Sequence, residues 1–155
     1  MNQLSLKEKL AILKKTEIFE KFPEMILKSV ADVVEEVKFT EGNTFIHKGD
    51  EGDCMYILYQ GKLRVHDDDA RIIDVEPTNV IGEMSILSTE PRSASVTALE
   101  DCKLLTISKA DFDVLSEDNV DFYKSIVKLL IKKLQRQNSD LTEFARNARR
   151  IASLF

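Results

Sequence analysis

The residues with the clearest chemical potential lie in one segment, 80–96, with the sequence VIGEMSILSTEPRSASV. Arg92 carries a guanidinium whose N–H groups can donate to two non-bridging oxygens of one phosphate. Gly82 precedes a short predicted helix, and the free N–H groups at a helix start also favour an anion. These residue types in this order predict a site for a phosphate group.

Glu83 directly follows that glycine, and a carboxylate facing a phosphate would repel it. The carboxylate fits only if it points elsewhere and accepts a hydrogen bond from a ligand hydroxyl. The expected ligand therefore carries one anionic phosphodiester and a free hydroxyl nearby, as a 3′,5′-cyclic nucleotide does. The alternative is an ion pair between Glu83 and Arg92 in a fold that has lost its ligand, but burying two charges for stability alone is inefficient.

The middle of the chain, residues 38–107, has the pattern of an all-β region. Short apolar runs are separated by turn-forming residues at spacings of roughly 8–12 residues. Strands are predicted over residues 44–46, 55–59, 63–65, 72–75, 95–98 and 103–107. Many short strands at this spacing predict a sandwich or a jelly-roll barrel.

Helical spacing of apolar residues appears on both sides of this region. Residues 5–37 show it, with a break at Pro23. Further on, Ser108 and Asp111 resemble a helix N-cap and its acidic third residue, for a short helix that ends near Ser116. The predicted division is an N-terminal helical segment (1–38), a β-roll (39–107) with the phosphate-binding segment at 80–96, and C-terminal helices (108–155).

The last predicted helix carries a stripe of mostly apolar residues in steps of three and four. Its nine positions are Val127, Leu130, Leu134, Gln137, Leu141, Phe144, Ala148, Ile151 and Phe155. We expect the stripe to form a homodimer, because it spans roughly 40 Å, more than a small barrel can cover. Two alternatives stay open: the stripe packs on the chain's own barrel, or Asn138-Ser139-Asp140 splits the helix in two.

Gly82-Glu83 followed by Pro91-Arg92-Ser93-Ala94-Ser95-Val96 resembles the phosphate-binding cassette of cyclic nucleotide-binding domains. The resemblance covers roughly residues 13–135 and includes all five glycines, at positions 42, 49, 52, 61 and 82. It points to stand-alone bacterial-type members without a DNA-binding domain. It implies a mainly β fold with flanking helices: an eight-stranded antiparallel jelly-roll (β-roll) barrel with N-terminal helices and a long C-terminal helix.

The resemblance also implies roles for individual residues. Glu83 would bind the ribose 2′-hydroxyl, and Arg92 would hold the phosphate. Further ligand contacts would come from Gly82, Met84, Ser85, Ser93 and Ala94. In dimeric bacterial relatives the base is capped from the C-terminal helix, at a register that falls here near Gln137 and Asn138. Ser93 stands where cAMP-preferring members often have alanine and cGMP-binding members threonine, so it does not decide between the two nucleotides.

One departure from the family pattern lies in the turn before the cassette. Relatives often have a glycine there, whereas this chain has Pro77-Thr78-Asn79. Asn79 is the residue expected to tolerate unusual backbone angles in this turn. The departure does not touch the proposed phosphate clamp.

Composition restricts the other possibilities. With 22 basic and 27 acidic residues, the net charge of −5 disfavours nucleic acid as a partner. No stretch approaches the ~20 apolar residues of a membrane span, and no signal peptide is predicted. Cys54 and Cys102 fit a reducing cytoplasm. Two histidines, His47 and His66, are too few for a cupin-like metal site, and no catalytic motif is present, so we expect no metal, cofactor or enzymatic activity.

Together these features predict a dimeric cytoplasmic sensor that binds cAMP or cGMP. It would signal to an unidentified downstream protein by moving its C-terminal helix. The principal alternative is a degenerate β-roll that binds no nucleotide and acts as a structural or protein-interaction module. An enzyme, such as a phosphodiesterase, is a more distant alternative.

Overall fold

The computed structural model describes residues 3–88 and 90–153. Its helices are α1 (Leu6–Lys15), a 3₁₀ helix (Glu17–Phe19), α2 (Glu24–Val33), α3 (Glu83–Leu87), α4 (Lys109–Asp118) and α5 (Val120–Ala152). Its strands are β1 (Glu35–Phe39), β2 (Thr44–Ile46), β3 (Cys54–Gln60), β4 (Leu63–Asp67), β5 (Ala70–Val75), β6 (Val80–Ile81), β7 (Ser95–Ala98) and β8 (Cys102–Ser108). All six predicted strands are therefore confirmed.

The strands form two four-stranded antiparallel sheets. The first has the order β1-β8-β3-β6 and the second the order β2-β7-β4-β5. Apolar residues from both sheets meet in one buried cluster, so the sheets pack face to face. This arrangement confirms the predicted mainly β fold with flanking helices, as a β-roll that does not close into a barrel.

The first sheet lies between two hydrophobic cores. Along β3 and β8, one set of side chains packs against the helices and the other faces the second sheet: Met55, Ile57, Leu105 and Ile107 belong to the first set, and Leu58, Leu104 and Cys102 to the second. Successive side chains of a strand point to opposite faces. Since both faces of the sheet are buried, the sequences of β3 and β8 are nearly continuous apolar runs.

The predicted helix over residues 5–37 is wrong at its C-terminal end. Helix α2 stops at Val33, and the next residues form the edge strand β1, which pairs with β8. The predicted helical segment 1–38 and the β-roll boundary at 39 are displaced accordingly. Adjacent Val33 and Val34 favour extended backbone, because β-branched side chains lose rotamer freedom in a helix. Charged residues in β1 hid its alternation, as is common in edge strands.

Several local predictions are confirmed. The Ser108 hydroxyl accepts a hydrogen bond from the Asp111 backbone N–H at 3.1 Å and caps α4, which continues to Asp118 rather than ending near Ser116. Pro23 occupies the cap position before α2.

In the turn 77–79 the expectation for Asn79 is wrong: the positive φ of 78° belongs to Thr78. The Asn79 side chain instead donates to the Glu76 carbonyl at 3.0 Å.

Helix α5 is continuous through Asn138-Ser139-Asp140 and is 33 residues long. It buries Phe122, Ile126 and Leu129, which lie on a different face from the predicted stripe. Stripe residues Val127, Leu134, Leu141, Phe144 and Ile151 are exposed, and Phe155 lies outside the described residues. Most of the stripe therefore does not pack on the chain's own core. None of the described helices is both long and apolar enough to cross a membrane.

Phe122 joins α5 to the rest of the fold. Its ring centroid lies 6.1 Å from that of Phe19 in the 3₁₀ helix and 5.2 Å from that of Phe112 in α4. We predict that Phe122→Ala lowers the free energy of unfolding by about 3–5 kcal/mol, because it leaves a cavity at this junction. Urea unfolding measures the change. Met25→Ala, at a position 81% exposed, should stay within about 0.5 kcal/mol of the wild type. Equal effects of the two substitutions would contradict the prediction.

Candidate functional site

Gly82 begins the site with a left-handed backbone conformation. Its φ of 81° places it between β6 and α3 as the cap of that short helix. A side chain there would be strained, and an added Cβ would lie 2.5 Å from Nη1 of Arg92. The glycine therefore lets the guanidinium approach the backbone, where Nη1 donates to the Gly82 carbonyl at 3.2 Å.

Arg92 is buried, with 7% of its surface exposed. Its Nη2 donates to the Cys54 carbonyl at 2.6 Å. Its backbone is fixed as well, because its N–H donates to the Asp50 carbonyl at 2.8 Å and its carbonyl accepts from the Gly49 N–H at 2.9 Å. A guanidinium has five N–H groups, and two serve backbone carbonyls here. The remaining N–H groups can bind an anion.

Gly52 lets the cassette helix and the arginine come together. A Cβ at this position would lie 2.0 Å from the Cβ of Ser85 and 3.0 Å from Nε of Arg92. Ser85 is itself buried in α3. The loop before β3 thus passes directly against both residues.

Glu83 is almost completely buried, with 4% of its surface exposed. Its Oε1 accepts a hydrogen bond from Nζ of Lys133, which lies on α5 and also donates to the Val80 carbonyl at 3.2 Å. Among the described residues, Glu83 and Arg92 form no ion pair with each other. The alternative in which these two charges neutralise each other is therefore not the arrangement in this structure.

The other predicted site residues differ in their burial and in their distance from Arg92. Ser85 lies beside Arg92, Met84 and Ser93 are exposed, and Ala94 is half-buried in the loop that follows the arginine. Gln137 and Asn138 are exposed on α5, and their side chains form no hydrogen bond with the described residues of the cassette.

Sequence reasoning missed Lys133, the residue of α5 that does reach the cassette. Lys133 lies four residues before Gln137 and so on the same face of the helix, one turn nearer the sheet. That spacing from a predicted base contact is the one signal that pointed to it.

Two protonatable side chains flank the site from β3. Burial raises the pKa of the Cys54 thiol above its usual value, and burial likewise raises the pKa of the Tyr56 phenol. The thiol therefore stays protonated at neutral pH and is a poor nucleophile. Within residues 3–88 and 90–153, no group of three or more His, Cys, Asp or Glu side chains is placed to hold a metal ion.

The family model for the cyclic nucleotide-binding domain matches residues 36–119, which is more than half of the chain. This chain belongs to the cyclic nucleotide-binding domain family. The matched range contains every cassette residue from Gly82 to Ala94. It ends before α5, so Lys133, Gln137 and Asn138 lie outside it.

Individual relatives agree with this membership. The chain is 33% identical over 86 residues to a cAMP-dependent protein kinase regulatory subunit of Hypocrea atroviridis, covering 56% of this chain and 19% of that protein. The regulatory domain of Toxoplasma gondii PKA, crystallised with cAMP, superposes with a TM-score of 0.64 and 27% identity over 71% of this chain and 44% of that one. The Thermus thermophilus catabolite activator protein shares the fold, with a TM-score of 0.73 and 22% identity over 83% of this chain and 62% of that one. The chain thus spans less than two thirds of each.

The close approach at Gly52 generates a test of the site geometry. We predict that Gly52→Ala lowers the free energy of unfolding by about 1–3 kcal/mol, because the new methyl group displaces Ser85 and Arg92. Gly42→Asn is the control: a Cβ there meets nothing within 4 Å, and asparagine tolerates its left-handed backbone. Urea unfolding compares the two variants. If both unfold at the same urea concentration, the packing described around Gly52 is wrong.

Proposed function

We propose that this protein is a regulatory sensor that binds a 3′,5′-cyclic nucleotide in the cassette between β6 and β7. One observation carries the proposal: Arg92 and Glu83 are both buried and yet not paired with each other. Buried charges normally have partners that neutralise them. The guanidinium has only backbone carbonyls as partners among the described residues, so its positive charge is available to a phosphate.

The two charges suit the two polar ends of such a ligand. Arg92 would hold the non-bridging phosphate oxygens, and Glu83 would accept a hydrogen bond from the ribose 2′-hydroxyl. The backbone around Gly82 and Ser85 would contact the ribose and phosphate, with Met84 beside them. Ser93 and Ala94 would offer backbone N–H groups to the phosphate.

The preferred base is left open between cAMP and cGMP. Ser93 can reach a base through its hydroxyl but favours neither nucleotide strongly. Several relatives have cAMP in their names, among them the regulatory subunits and the Toxoplasma gondii domain. We therefore take cAMP as the first ligand to test and cGMP as the second.

We propose that nucleotide binding is transmitted by α5. In this proposal the base draws the helix toward the pocket through Gln137 or Asn138, and a downstream protein recognises the new helix position. Only a difference in nucleotide affinity between two helix positions can drive this change. No catalysis is required, and the absence of enzymatic activity and the cytoplasmic location stay predictions.

The second candidate is a β-roll that acts only as an interaction module. The exposed stripe of α5 is the observation that favours it, since this surface is available to another protein. The buried unpaired arginine argues against it, because a module without a ligand gains nothing from that charge.

Calorimetric titration separates these candidates. We predict that the wild type binds cAMP or cGMP and that Arg92→Leu weakens binding about 100-fold or more, because two charge-assisted hydrogen bonds are lost. Arg92→Lys keeps the positive charge but loses the planar guanidinium that can donate to two phosphate oxygens at once, so it should give an intermediate affinity. Arg71→Leu, which removes an exposed arginine of β5, is the matched control and should bind as the wild type does.

Circular dichroism of each variant confirms that it is folded. The absence of binding heat with both nucleotides in the folded wild type would favour the interaction module. Conversion of the nucleotide during the titration would instead identify an enzyme.

We further propose that α5 forms a homodimer through its stripe. Phe144 is 73% exposed, and Leu134, Leu141 and Ile151 are exposed with it along one face. Apolar positions in steps of three and four form a seam that a second copy of the same helix can cover, with Gln137 as one polar position within it.

Sedimentation tests the dimer. We predict that Leu141→Glu converts the protein to a monomer, because it places a charge in the seam. Ser139→Glu adds the same charge on the opposite face of α5 and should leave the dimer intact. A wild type that sediments as a monomer at high concentration would refute the homodimer.

A further inference from the structure

Lys133 links the C-terminal helix to the centre of the cassette. Its Nζ donates to Oε1 of Glu83 and, at 3.2 Å, to the carbonyl of Val80 in β6. Its side chain is 37% exposed, whereas that of Glu83 is 5% exposed. The contact therefore buries the carboxylate beneath a lysine that reaches in from the surface.

Lys133 supplies the countercharge that the buried Glu83 carboxylate requires. A buried carboxylate without a donor or a countercharge is strongly disfavoured. Lys133 is the cation bound to Glu83 among the described residues. The acid that we assign to the ligand hydroxyl is thus already bound by α5, and an ammonium and a hydroxyl are both donors to the same acceptor.

A second attachment holds the same turn of α5. Glu17, in the 3₁₀ helix, accepts from Nζ of Lys132 at 3.1 Å and from Nη2 of Arg136 at 3.4 Å. The hydrogen bond from Lys132 lowers the pKa of the Glu17 carboxyl, so this acid stays ionised at neutral pH. Helix α5 is therefore tied on one side to the cassette and on the other to the N-terminal helices.

We propose that Lys133 is a latch that competes with the ligand hydroxyl for Glu83. The proposal rests on the proposed function and specifies its regulation. Without nucleotide, Lys133 holds α5 against the cassette. The 2′-hydroxyl of the nucleotide takes the place of the ammonium on the carboxylate. Helix α5 then loses this attachment and can shift toward the base, while Glu17 still holds it. The latch therefore opposes nucleotide binding and connects it to the helix.

Calorimetry with Lys133→Met tests the competition. Methionine keeps the length of the stem but cannot donate to Glu83, so cAMP should bind about tenfold more tightly, within the usual range of coupling between sites. 2′-Deoxy-cAMP lacks the competing hydroxyl, so its affinity should change by less than about twofold. Lys133→Arg should restore the wild-type affinity for cAMP. Lys128→Met removes an exposed lysine from the same helix and should change neither affinity.

A measurement without nucleotide separates failure of the latch from failure of the proposed function. Hydrogen exchange at the amides of α3 should become about fivefold faster in Lys133→Met, because α5 no longer restrains the cassette, and should be unchanged in Lys128→Met. Faster exchange in a protein that binds neither nucleotide would refute the proposed function and, with it, the competition, while confirming the tie between α5 and the cassette.

Three results would overturn the latch. Weaker cAMP binding by Lys133→Met would show that the lysine orients Glu83 for the ligand. An equal gain for cAMP and 2′-deoxy-cAMP would show that it obstructs the pocket instead of competing for the acid. Unchanged affinity and unchanged exchange would show that the ion pair has no effect on the cassette.

Discussion

A buried arginine and a buried glutamate lie in one cassette and are kept from neutralising each other. Arg92 donates to the carbonyls of Gly82 and Cys54, and Glu83 is bound by Lys133. Burying Arg92 in this way opposes stability, because the guanidinium lost its hydration without gaining a carboxylate as a partner among the described residues. Gly52 and Gly82 lack a side chain that would collide with Arg92, so the backbone can approach the guanidinium. The local sequence therefore allows the two charges to be held apart.

The packing of the first sheet between two cores helps to maintain this separation. The helices pack on one face of β3 and β8 and the second sheet on the other, which fixes β3 from both sides. The carbonyl of Cys54, at the start of β3, is therefore a rigid acceptor for Arg92. The loop from Gly49 to Gly52 then holds the arginine backbone and packs against Ser85. A rigid acceptor fixes the orientation of the guanidinium. An acceptor on a mobile loop would allow Arg92 to reorient and pair with a carboxylate.

Much of this could be predicted from the sequence because the signals are local. The apolar runs of β3 and β8 and the cap at Ser108 each lie within a few residues, and Gly82 and Arg92 are ten positions apart. β1 was missed because its alternation is hidden by charged edge residues, and β6 because it is two residues long. Thr78 was missed because a β-branched residue rarely takes a positive φ. Lys133 was missed because its partner lies 50 positions away and a helix lysine usually faces water.

The same long helix contains the attachment at Lys133 and the exposed stripe, and its continuity links them. Only the first third of α5 is buried, with Leu129 the last of its buried residues. A helix that extends so far beyond its packing is marginal on its own, which favours a covered seam in the functional protein. Because residues rise by about 1.5 Å each, Phe144 lies roughly 16 Å beyond Lys133. In the proposed mechanism a small tilt of α5 at the cassette moves the distant stripe further, so the bonding partner of Glu83 and the contacts of the stripe change together.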